Sequence, residues 1–377
     1  MKVCGPANGL NGTTTLPGDK SISHRALMHA ALSPGTSQIR NILRAGVTDA
    51  MTHCLQQLGV LFKDEEDMLV VQGGSWQQPD TALDCGNSGT TMRLLLGALA
   101  DKPFTVTLTG TSTLQRRPMQ RVAGPLRQMG AYIEGEAAPL IVRGRALQGI
   151  SHSSSVASAQ VKSALLLAAL RAKGATTIKQ PTLSRDHSER MLRALGVDVR
   201  SQGSTVTLIP SGKPLPSSNL SVPGDFSSAA FIIAAAILVP DSEVRLQGIG
   251  VNPTRTGLLD ALHEMGANIH IEKQHEVGGE PVADIIARHS TLRAIQVGGN
   301  LVTRMIDEFP IFAVLASQAE GTTTVRQASE LRLKESDRVS VIIGELRKLG
   351  VTAREYQDGF SIHGPGTIIP ATVDSHT

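Results

Sequence analysis

The chain has 377 residues, of which 41% are apolar and 18% are charged, and its formal net charge is +3. This length exceeds what one hydrophobic core usually serves, so two domains are expected, and the composition excludes a disordered chain. The small net charge and the 3% of aromatic residues argue against nucleic-acid binding.

The sequence shows no targeting or metal-binding signal. No uncharged apolar run reaches the ~20 residues that span a bilayer, and the first residues lack a signal-peptide core. The three cysteines, Cys4, Cys54 and Cys85, are odd in number and show no CxxC spacing. We therefore predict a cytoplasmic protein with reduced thiols, no membrane partner and no metal site.

One helical pattern recurs five times along the chain. Apolar residues at helical spacing end in Leu-Gly-Val or Met-Gly-Ala, and these glycines follow one another at intervals of roughly 65 to 85 residues. Glycine after a helix typically adopts a left-handed conformation, so each is predicted at a helix end with a short strand behind it. The five glycines are Gly59, Gly130, Gly196, Gly266 and Gly350.

A glycine- or serine-rich turn that opens an apolar helix precedes each of these patterns. In chain order, the turns lie at 18–21, 86–89, 157–160, 224–228 and 307–310. The helices behind them, such as 164–170 and 229–237, are apolar nearly all round and are predicted to be buried. Each unit is thus predicted as helix, strand, helix, strand, strand, and five copies in one order indicate a repeat.

The first turn has the groups of an anion site. Lys20 and Ser21 lie at a predicted helix start, with Arg25 one turn later on the same face. A helix N-terminus with a lysine, a hydroxyl and an arginine suits an anion, although a single turn of this kind is more often a simple cap. If the repeat brings several helix starts together, they would hold a polyanionic small molecule.

Two later segments concentrate charge. Asp307 and Glu308 lie in the otherwise apolar stretch 305–313, so a lysine or arginine partner is expected. Four of the six residues at 333–338 are charged, which is equally consistent with a capped helix start and with a functional segment. Histidines 24, 187 and 363 receive no role from sequence alone.

Together these segments resemble the 3-phosphoshikimate 1-carboxyvinyltransferases, the EPSP synthases. The matching motifs lie at 18–26, 86–93, 117–119 and 333–338, in family order over essentially the whole chain. The resemblance implies an α/β (α+β) enolpyruvyl transferase fold of two domains built from βαβαββ repeats, with five of six units present. Domain I would comprise 1–19 and 223–377, and domain II would comprise 20–222.

The resemblance also implies the reaction. Phosphoenolpyruvate is protonated at C3, the 5-hydroxyl of shikimate 3-phosphate attacks C2, and the tetrahedral intermediate loses phosphate; no metal or organic cofactor is needed. The implied catalytic residues are Asp307, which accepts the hydroxyl proton, Glu335, which serves proton transfer at the methylene, Lys334 beside Asp307, and Lys20.

The implied binding residues fall into two sets. Those for shikimate 3-phosphate are Lys20, Ser21, Arg25, Ser158, Gln160, Ser184, Asp307 and Lys334. Those for phosphoenolpyruvate are Lys20, Gly89, Arg117, Gln160 and Arg338. Glyphosate is the implied inhibitor at the phosphoenolpyruvate end, and a monomer is expected.

One departure from the family leaves alternatives open. The family continues beyond 373–377 with an Asp-His-Arg turn and a later lysine, so domain I is expected to be incomplete and a complementing C-terminal fragment is a candidate partner. The first alternative is that the chain is a non-catalytic shikimate-3-phosphate-binding fragment that needs this partner segment. A UDP-N-acetylglucosamine enolpyruvyl transferase is the second alternative. It is disfavoured because that group has Lys-Asn at the first turn and a cysteine before the Arg-Pro motif, whereas this chain has Lys20-Ser21 and no cysteine at 111–117.

Overall fold

The computed structural model describes residues 9–334 and 336–374. By their internal contacts these residues form two compact units. The two-sheet unit contains the described residues of 1–16, 224–275 and 281–377, and the three-sheet unit contains 17–223 and 276–280. The predicted domain limits differ from this division mainly at 276–280. That 1–19 with 223–377 and 20–222 are separate domains stays a prediction.

The strands are short. In chain order they are β1 (Asn11–Thr15), β2 (Gly35–Arg40), β3 (Leu61–Glu65), β4 (Met68–Gly73), β5 (Leu83–Asp84), β6 (Thr105–Thr109), β7 (Tyr132–Glu134), β8 (Leu140–Arg143), β9 (Ser151–Ser153), β10 (Thr176–Lys179), β11 (Asp198–Gln202), β12 (Thr205–Ile209), β13 (Asn219–Ser221), β14 (Glu243–Gly250), β15 (Asn268–Val277), β16 (Glu280–Arg288), β17 (Gln296–Val297), β18 (Gly321–Val325), β19 (Thr352–Tyr356) and β20 (Gly359–Gly364).

Helices separate most of these strands. They are α1 (Lys20–Leu32), α2 (Gly46–Gln57), α3 (Gly89–Leu99), α4 (Ser112–Gln115), α5 (Gln120–Gln128), α6 (Ala159–Ala169), α7 (His187–Ala194), α8 (Phe226–Leu238), α9 (Gly257–Glu264), α10 (Asn300–Arg304), α11 (Phe309–Ser317) and α12 (Arg338–Lys348), with a 3-10 helix at Ser329–Leu333. None of the helices in the described part of the chain is long and apolar enough to cross a membrane.

The described residues contain five four-stranded sheets with one common strand order. The three-sheet unit has β13-β2-β4-β3, β5-β6-β8-β7 and β9-β10-β12-β11, and the two-sheet unit has β1-β14-β16-β15 and β17-β18-β20-β19. In each sheet the first strand is parallel to the second, and the second is antiparallel to the third. The predicted βαβαββ repeat is therefore confirmed for these five copies.

Two sheets take their first strand from a distant part of the chain. β1 precedes α1 in sequence but pairs in parallel with β14, Asn11 lying opposite Glu243. β13 precedes α8 but pairs in parallel with β2, Asn219 lying opposite Gln38. Each of these two sheets therefore combines a first strand from one part of the chain with three strands from another. The sequence intervals did not reveal this exchange of first strands.

The glycine that follows each second helix has the predicted left-handed backbone. All five φ angles lie between 79° and 107°, at Gly59, Gly130, Gly196, Gly266 and Gly350. A residue with a Cβ is disfavoured there. These glycines let the chain reverse from each helix into the hairpin that completes its sheet.

The apolar helices have different surroundings in the two units. In the three-sheet unit, α6 is buried from Val161 to Ala169, as its sequence predicts. In the two-sheet unit, α8 buries Phe226, Ile233 and Ile237, but the side chain of Phe231 is 58% exposed. The prediction that α8 is buried all round is therefore wrong for the face that carries Phe231. An apolar helix is buried only where a neighbouring element covers it.

Candidate active site

Three helix starts in the three-sheet unit share the same kind of cap. Asp19, Ser88 and Ser158 precede α1, α3 and α6, and each side chain accepts a hydrogen bond from the backbone N–H three residues later. The donor–acceptor distances are 2.9, 3.2 and 3.4 Å. The capping uses only part of each helix N-terminus, so further N–H groups at each start are available to an anion.

His24 connects the starts of α1 and α3. Its Nδ1 lies 2.7 Å from the Lys20 carbonyl oxygen, and its Nε2 lies 3.3 Å from Ser88 Oγ and 3.1 Å from the Val47 carbonyl oxygen. Burial lowers the pKa of His24 to about 4, so the ring is neutral at pH 7. No pattern in the sequence predicts a role for this histidine, and in the structure it joins two candidate binding turns.

Arg25 connects α1 to α6 and α7. Its Nε donates to Ser188 Oγ at 2.7 Å, its Nη2 to Ser163 Oγ at 2.6 Å and its Nη1 to the Ser21 carbonyl oxygen at 2.8 Å. Burial lowers the pKa of Arg25, and the nearby carboxylate of Glu189 opposes that effect. These bonds use three of the five guanidinium N–H groups, which leaves two for a ligand.

Gln160 connects the starts of α3 and α6. Its Nε2 donates to Thr90 Oγ1 at 2.8 Å, and its Oε1 accepts a hydrogen bond from Arg93 Nη1. The same Arg93 nitrogen lies 3.3 Å from the Gly89 carbonyl oxygen. Arg93 was part of the sequence motif but was missed as a site residue, because nothing in its spacing indicates the contact with Gln160.

Two guanidinium groups crowd Gly89. A Cβ built there would lie 2.7 Å from Arg93 Nη1 and 2.8 Å from Arg117 Nη1. Gly89 is therefore a position where a backbone approaches two cations without a side chain between them. The structure brings the predicted residues Gly89, Arg117 and Gln160 into one neighbourhood of the three-sheet unit.

Ser184 is held on both its side chain and its main chain. Its hydroxyl donates to Gln180 Oε1 at 2.6 Å, and its carbonyl oxygen accepts from Lys162 Nζ at 3.3 Å. Lys162 also forms a buried ion pair with Glu189 at 2.5 Å. The two buried partners of Ser184 carry no sequence signal, since Lys162 comes from α6 and Gln180 follows β10.

The remaining predicted residues of this unit are Lys20 and Ser21. Lys20 is the first residue of α1, its side chain is exposed, and its carbonyl oxygen contacts His24. Ser21 follows it and is half-buried. The three-sheet unit thus contains eight of the twelve predicted site residues: Lys20, Ser21, Arg25, Gly89, Arg117, Ser158, Gln160 and Ser184.

The two-sheet unit contains Asp307, in the turn between α10 and α11. Arg338 Nη1, at the start of α12, lies 3.2 Å from Asp307 Oδ1 and 3.0 Å from the Ile306 carbonyl oxygen. The side chains of Asp307 and Arg338 are 31% and 20% exposed. The expected basic partner is therefore present, and it is the predicted phosphoenolpyruvate ligand Arg338.

A buried network lies beside Asp307 along the chain. Ser227 Oγ donates to Glu308 Oε1 at 2.5 Å, and Arg255 Nη2 donates to Ser227 Oγ at 2.9 Å and to Asp225 Oδ1 at 2.7 Å. These bonds tie together the starts of α8, α9 and α11. Arg255 was not predicted from the sequence, because a lone arginine before a helix has no distinguishing pattern.

The last predicted residues lie between the 3-10 helix and α12. Lys334 is half-buried at the end of the 3-10 helix, and Glu335 lies outside the described residues. Arg332 donates to Asp337 at 2.6 Å, and Asp337 caps α12 by accepting from the Ser340 N–H at 3.1 Å. The segment is thus a capped helix start, and its functional role stays a prediction. Across 9–334 and 336–374, no group of three or more His, Cys, Asp or Glu side chains is arranged to hold a metal ion.

Known sequences match this chain over nearly its whole length. The family model for EPSP synthase (3-phosphoshikimate 1-carboxyvinyltransferase) matches residues 5–377. The chain is 48% identical to the 3-phosphoshikimate 1-carboxyvinyltransferase of Geobacter metallireducens over 98% of this chain and 88% of that protein. It is 45% identical to the enzyme of Bacillus subtilis over 97% of this chain and 87% of that protein.

Solved structures of enolpyruvyl transferases are similar to this chain as well. The EPSP synthase of Acinetobacter baumannii matches with a TM-score of 0.89 at 40% identity, over 98% of this chain and 87% of that chain. The enolpyruvyl transferase NikO of Streptomyces tendae shares the fold, with a TM-score of 0.77 at 18% identity, over 96% of this chain and 84% of that chain. With its repeats, its capped helix starts and these matches, the chain belongs to the EPSP synthase (3-phosphoshikimate 1-carboxyvinyltransferase) family.

Proposed function

We propose that the chain transfers the enolpyruvyl group of phosphoenolpyruvate to the 5-hydroxyl of shikimate 3-phosphate, releasing phosphate. This reaction belongs to the shikimate pathway of aromatic amino acid biosynthesis. The observation that carries the proposal is the joining of three capped helix starts by His24, Arg25 and Gln160 in a chain of this family. Both substrates are phosphorylated carboxylates, and helix starts with arginines suit such groups.

Shikimate 3-phosphate would bind at the starts of α1 and α6. Arg25 is fixed by three hydrogen bonds, so its two remaining N–H groups can meet a carboxylate or hydroxyl without losing side-chain entropy. Lys20 and Ser21 would add a cation and a hydroxyl. Further contacts are assigned to Ser158, Gln160, Ser184, Asp307 and Lys334.

Phosphoenolpyruvate would bind beside Gly89. Two guanidinium groups, of Arg93 and Arg117, approach this glycine, and their positive charge suits a phosphate with a carboxylate. Lys20, Gln160 and Arg338 complete the proposed set. Glyphosate, which also carries a phosphonate and a carboxylate, would compete at the same position.

Proton transfer would use the acidic residues near α11 and α12. Glu335 would serve the proton added at C3 of phosphoenolpyruvate, which makes C2 electrophilic. Asp307 would accept the 5-hydroxyl proton as that oxygen attacks C2, and Lys334 would stabilise the charge beside it. The tetrahedral intermediate then expels phosphate from C2 and loses a proton from C3, which Glu335 would take back, so that the C2–C3 double bond re-forms.

Phosphate release is the direct test. The purified chain with both substrates should release phosphate and form one enolpyruvyl ether per phosphate, as followed by phosphorus NMR. Neither substrate alone should react, and UDP-N-acetylglucosamine should not replace shikimate 3-phosphate. Calorimetric binding of shikimate 3-phosphate without turnover would instead favour the non-catalytic binding alternative, in which a complementing C-terminal segment is required.

A further inference from the structure

We infer that Gln180 is a positioning residue for the binding of the substrate's phosphate, an inference that rests on the proposed function. Gln180 follows β10 and is 3% exposed. Its side-chain amide joins two predicted shikimate 3-phosphate ligands, because Nε2 donates to the Ser158 carbonyl oxygen at 3.0 Å and Oε1 accepts from Ser184 Oγ at 2.6 Å.

The bond to Ser158 gives the start of α6 a second hold. The Ser158 carbonyl oxygen already accepts the first backbone hydrogen bond of α6, from the Lys162 N–H at 3.1 Å, and Gln180 adds a side-chain bond to the same oxygen. The peptide between Ser158 and Ala159 is trans, so its N–H points opposite to this carbonyl, at the first residue of α6. Gln180 thereby ties the start of α6 to the end of β10.

The bond to Ser184 fixes the direction of a hydroxyl proton. Ser184 Oγ donates to Gln180, so its lone pairs face the remaining space. Ser158 Oγ accepts from the Val161 N–H at 3.4 Å, which leaves its own proton to donate. Gln180 thus sets the hydroxyl direction of Ser184, whereas the cap of α6 leaves the Ser158 hydroxyl as the donor toward a ligand.

Gln180 is itself rigidly held. Its backbone N–H donates to the Ser204 carbonyl oxygen at 3.1 Å, and its own carbonyl oxygen accepts from Ser204 Oγ at 2.7 Å. Ser204 therefore contacts only the main chain of Gln180 in this arrangement. The variant Ser204→Ala offers a matched control that disturbs the same residue and leaves the amide bridge intact.

The test compares Gln180→Met, which keeps the length and removes both polar atoms, with Ser204→Ala. Calorimetry gives the Kd of shikimate 3-phosphate and of inorganic phosphate, and phosphate release gives both KM values. Gln180→Met should raise the Kd and KM for shikimate 3-phosphate about tenfold. It should leave the phosphoenolpyruvate KM within about twofold, and Ser204→Ala should change none of these more than about twofold.

Two results would overturn the inference: an unchanged Kd in Gln180→Met, or equal increases for both substrates in both variants. Failure of the proposed function looks different, because the unsubstituted chain would then bind inorganic phosphate but not shikimate 3-phosphate. In that case weaker phosphate binding in Gln180→Met still supports the positioning role, and unchanged phosphate binding contradicts it.

Discussion

The helices α6 and α8 open equivalent repeats but lie in different environments. Both follow a capped turn and both are composed almost wholly of small and apolar residues. In the three-sheet unit α6 packs against α3 and α5, and every side chain from Val161 to Ala169 is buried. In the two-sheet unit α8 packs against α11 and β14 and leaves Phe231 58% exposed, with Val314 of α11 39% exposed.

The difference teaches that burial of a repeat helix depends on the number of neighbouring repeats, not on its own sequence. Three sheets supply enough helices to surround a central one, whereas two sheets leave an apolar side uncovered. The candidate site residues follow the same contrast. Arg25 in the three-sheet unit is buried in a hydrogen-bond network, while Asp307 in the two-sheet unit is 31% exposed. We therefore expect the buried, hydrogen-bonded groups of the three-sheet unit to differ in role from Asp307, the proposed proton acceptor in the two-sheet unit.

The largest expected effect is that of replacing Asp307, the proposed acceptor of the hydroxyl proton. The substitution Asp307→Asn should lower kcat by ~10²–10⁴-fold while leaving the Kd of shikimate 3-phosphate within about threefold, because the amide cannot accept the hydroxyl proton. Phosphate release and calorimetry measure the two quantities. Asp260→Asn, at an exposed ion pair with Arg304, is the control in the same unit and should leave kcat unchanged. Full turnover in Asp307→Asn would remove this role.

The second effect concerns burial itself. Leu166 of α6 is fully buried, so Leu166→Ala should lower the free energy of unfolding by about 2–5 kcal/mol. Phe231→Ser on α8 should change it by no more than about 0.5 kcal/mol, because that side chain already contacts water. Urea unfolding followed by circular dichroism compares the two variants. A cost at Phe231 close to that at Leu166 would mean that the exposed face of α8 is covered in solution.

The third effect is the pH dependence of the three-sheet unit. Burial lowers the pKa of His24 to about 4 and of His29 to about 3, whereas both titrate near 6.5 when unfolded. Below pH 6.5 the unfolded state binds more protons than the folded state, so the free energy of unfolding falls as the pH falls. On going from pH 7.5 to pH 5.0, each histidine should lower the free energy of unfolding by about 2 kcal/mol.

Trp76 offers the measurement, since it is the single tryptophan and lies in the three-sheet unit, where its Nε1 donates to the Ala31 carbonyl oxygen at 2.9 Å. Its fluorescence during urea unfolding should show a smaller loss of stability at pH 5.0 in His29→Leu than in the unsubstituted chain. His53→Gln, at an exposed position, should behave as the unsubstituted chain. An unchanged pH dependence in His29→Leu would contradict the assigned burial effect.

The smallest expected effect tests the two ends of the ligand site. A methyl group at Gly89 would meet Arg93 and Arg117. Gly89→Ala should therefore raise the Kd of glyphosate and of phosphoenolpyruvate about tenfold and that of shikimate 3-phosphate less than twofold. Gly124→Ala is a matched control, because a Cβ there has no neighbour closer than 3.8 Å. Equal losses for all three ligands in calorimetry would count against this placement of phosphoenolpyruvate.

Local sequence determined the repeat. The left-handed glycines, the capped turns and the apolar spacing depend on interactions within a few residues, so five helix starts and five helix ends could be predicted from the chain alone. The residue types at the turns also indicated anion binding, because a lysine, a hydroxyl and an arginine at a helix start act over short distances. Family resemblance added the individual roles.

Only the tertiary structure decided which partners these residues have. The exchange of β1 and β13, the contacts of Arg25 with Ser163 and Ser188, and the bridge of Gln180 between Ser158 and Ser184 each join segments far apart in sequence. The sequence pattern likewise did not predict the exposed face of α8. Such features arise from long-range packing, which places distant polar groups within hydrogen-bond distance and which no local propensity encodes.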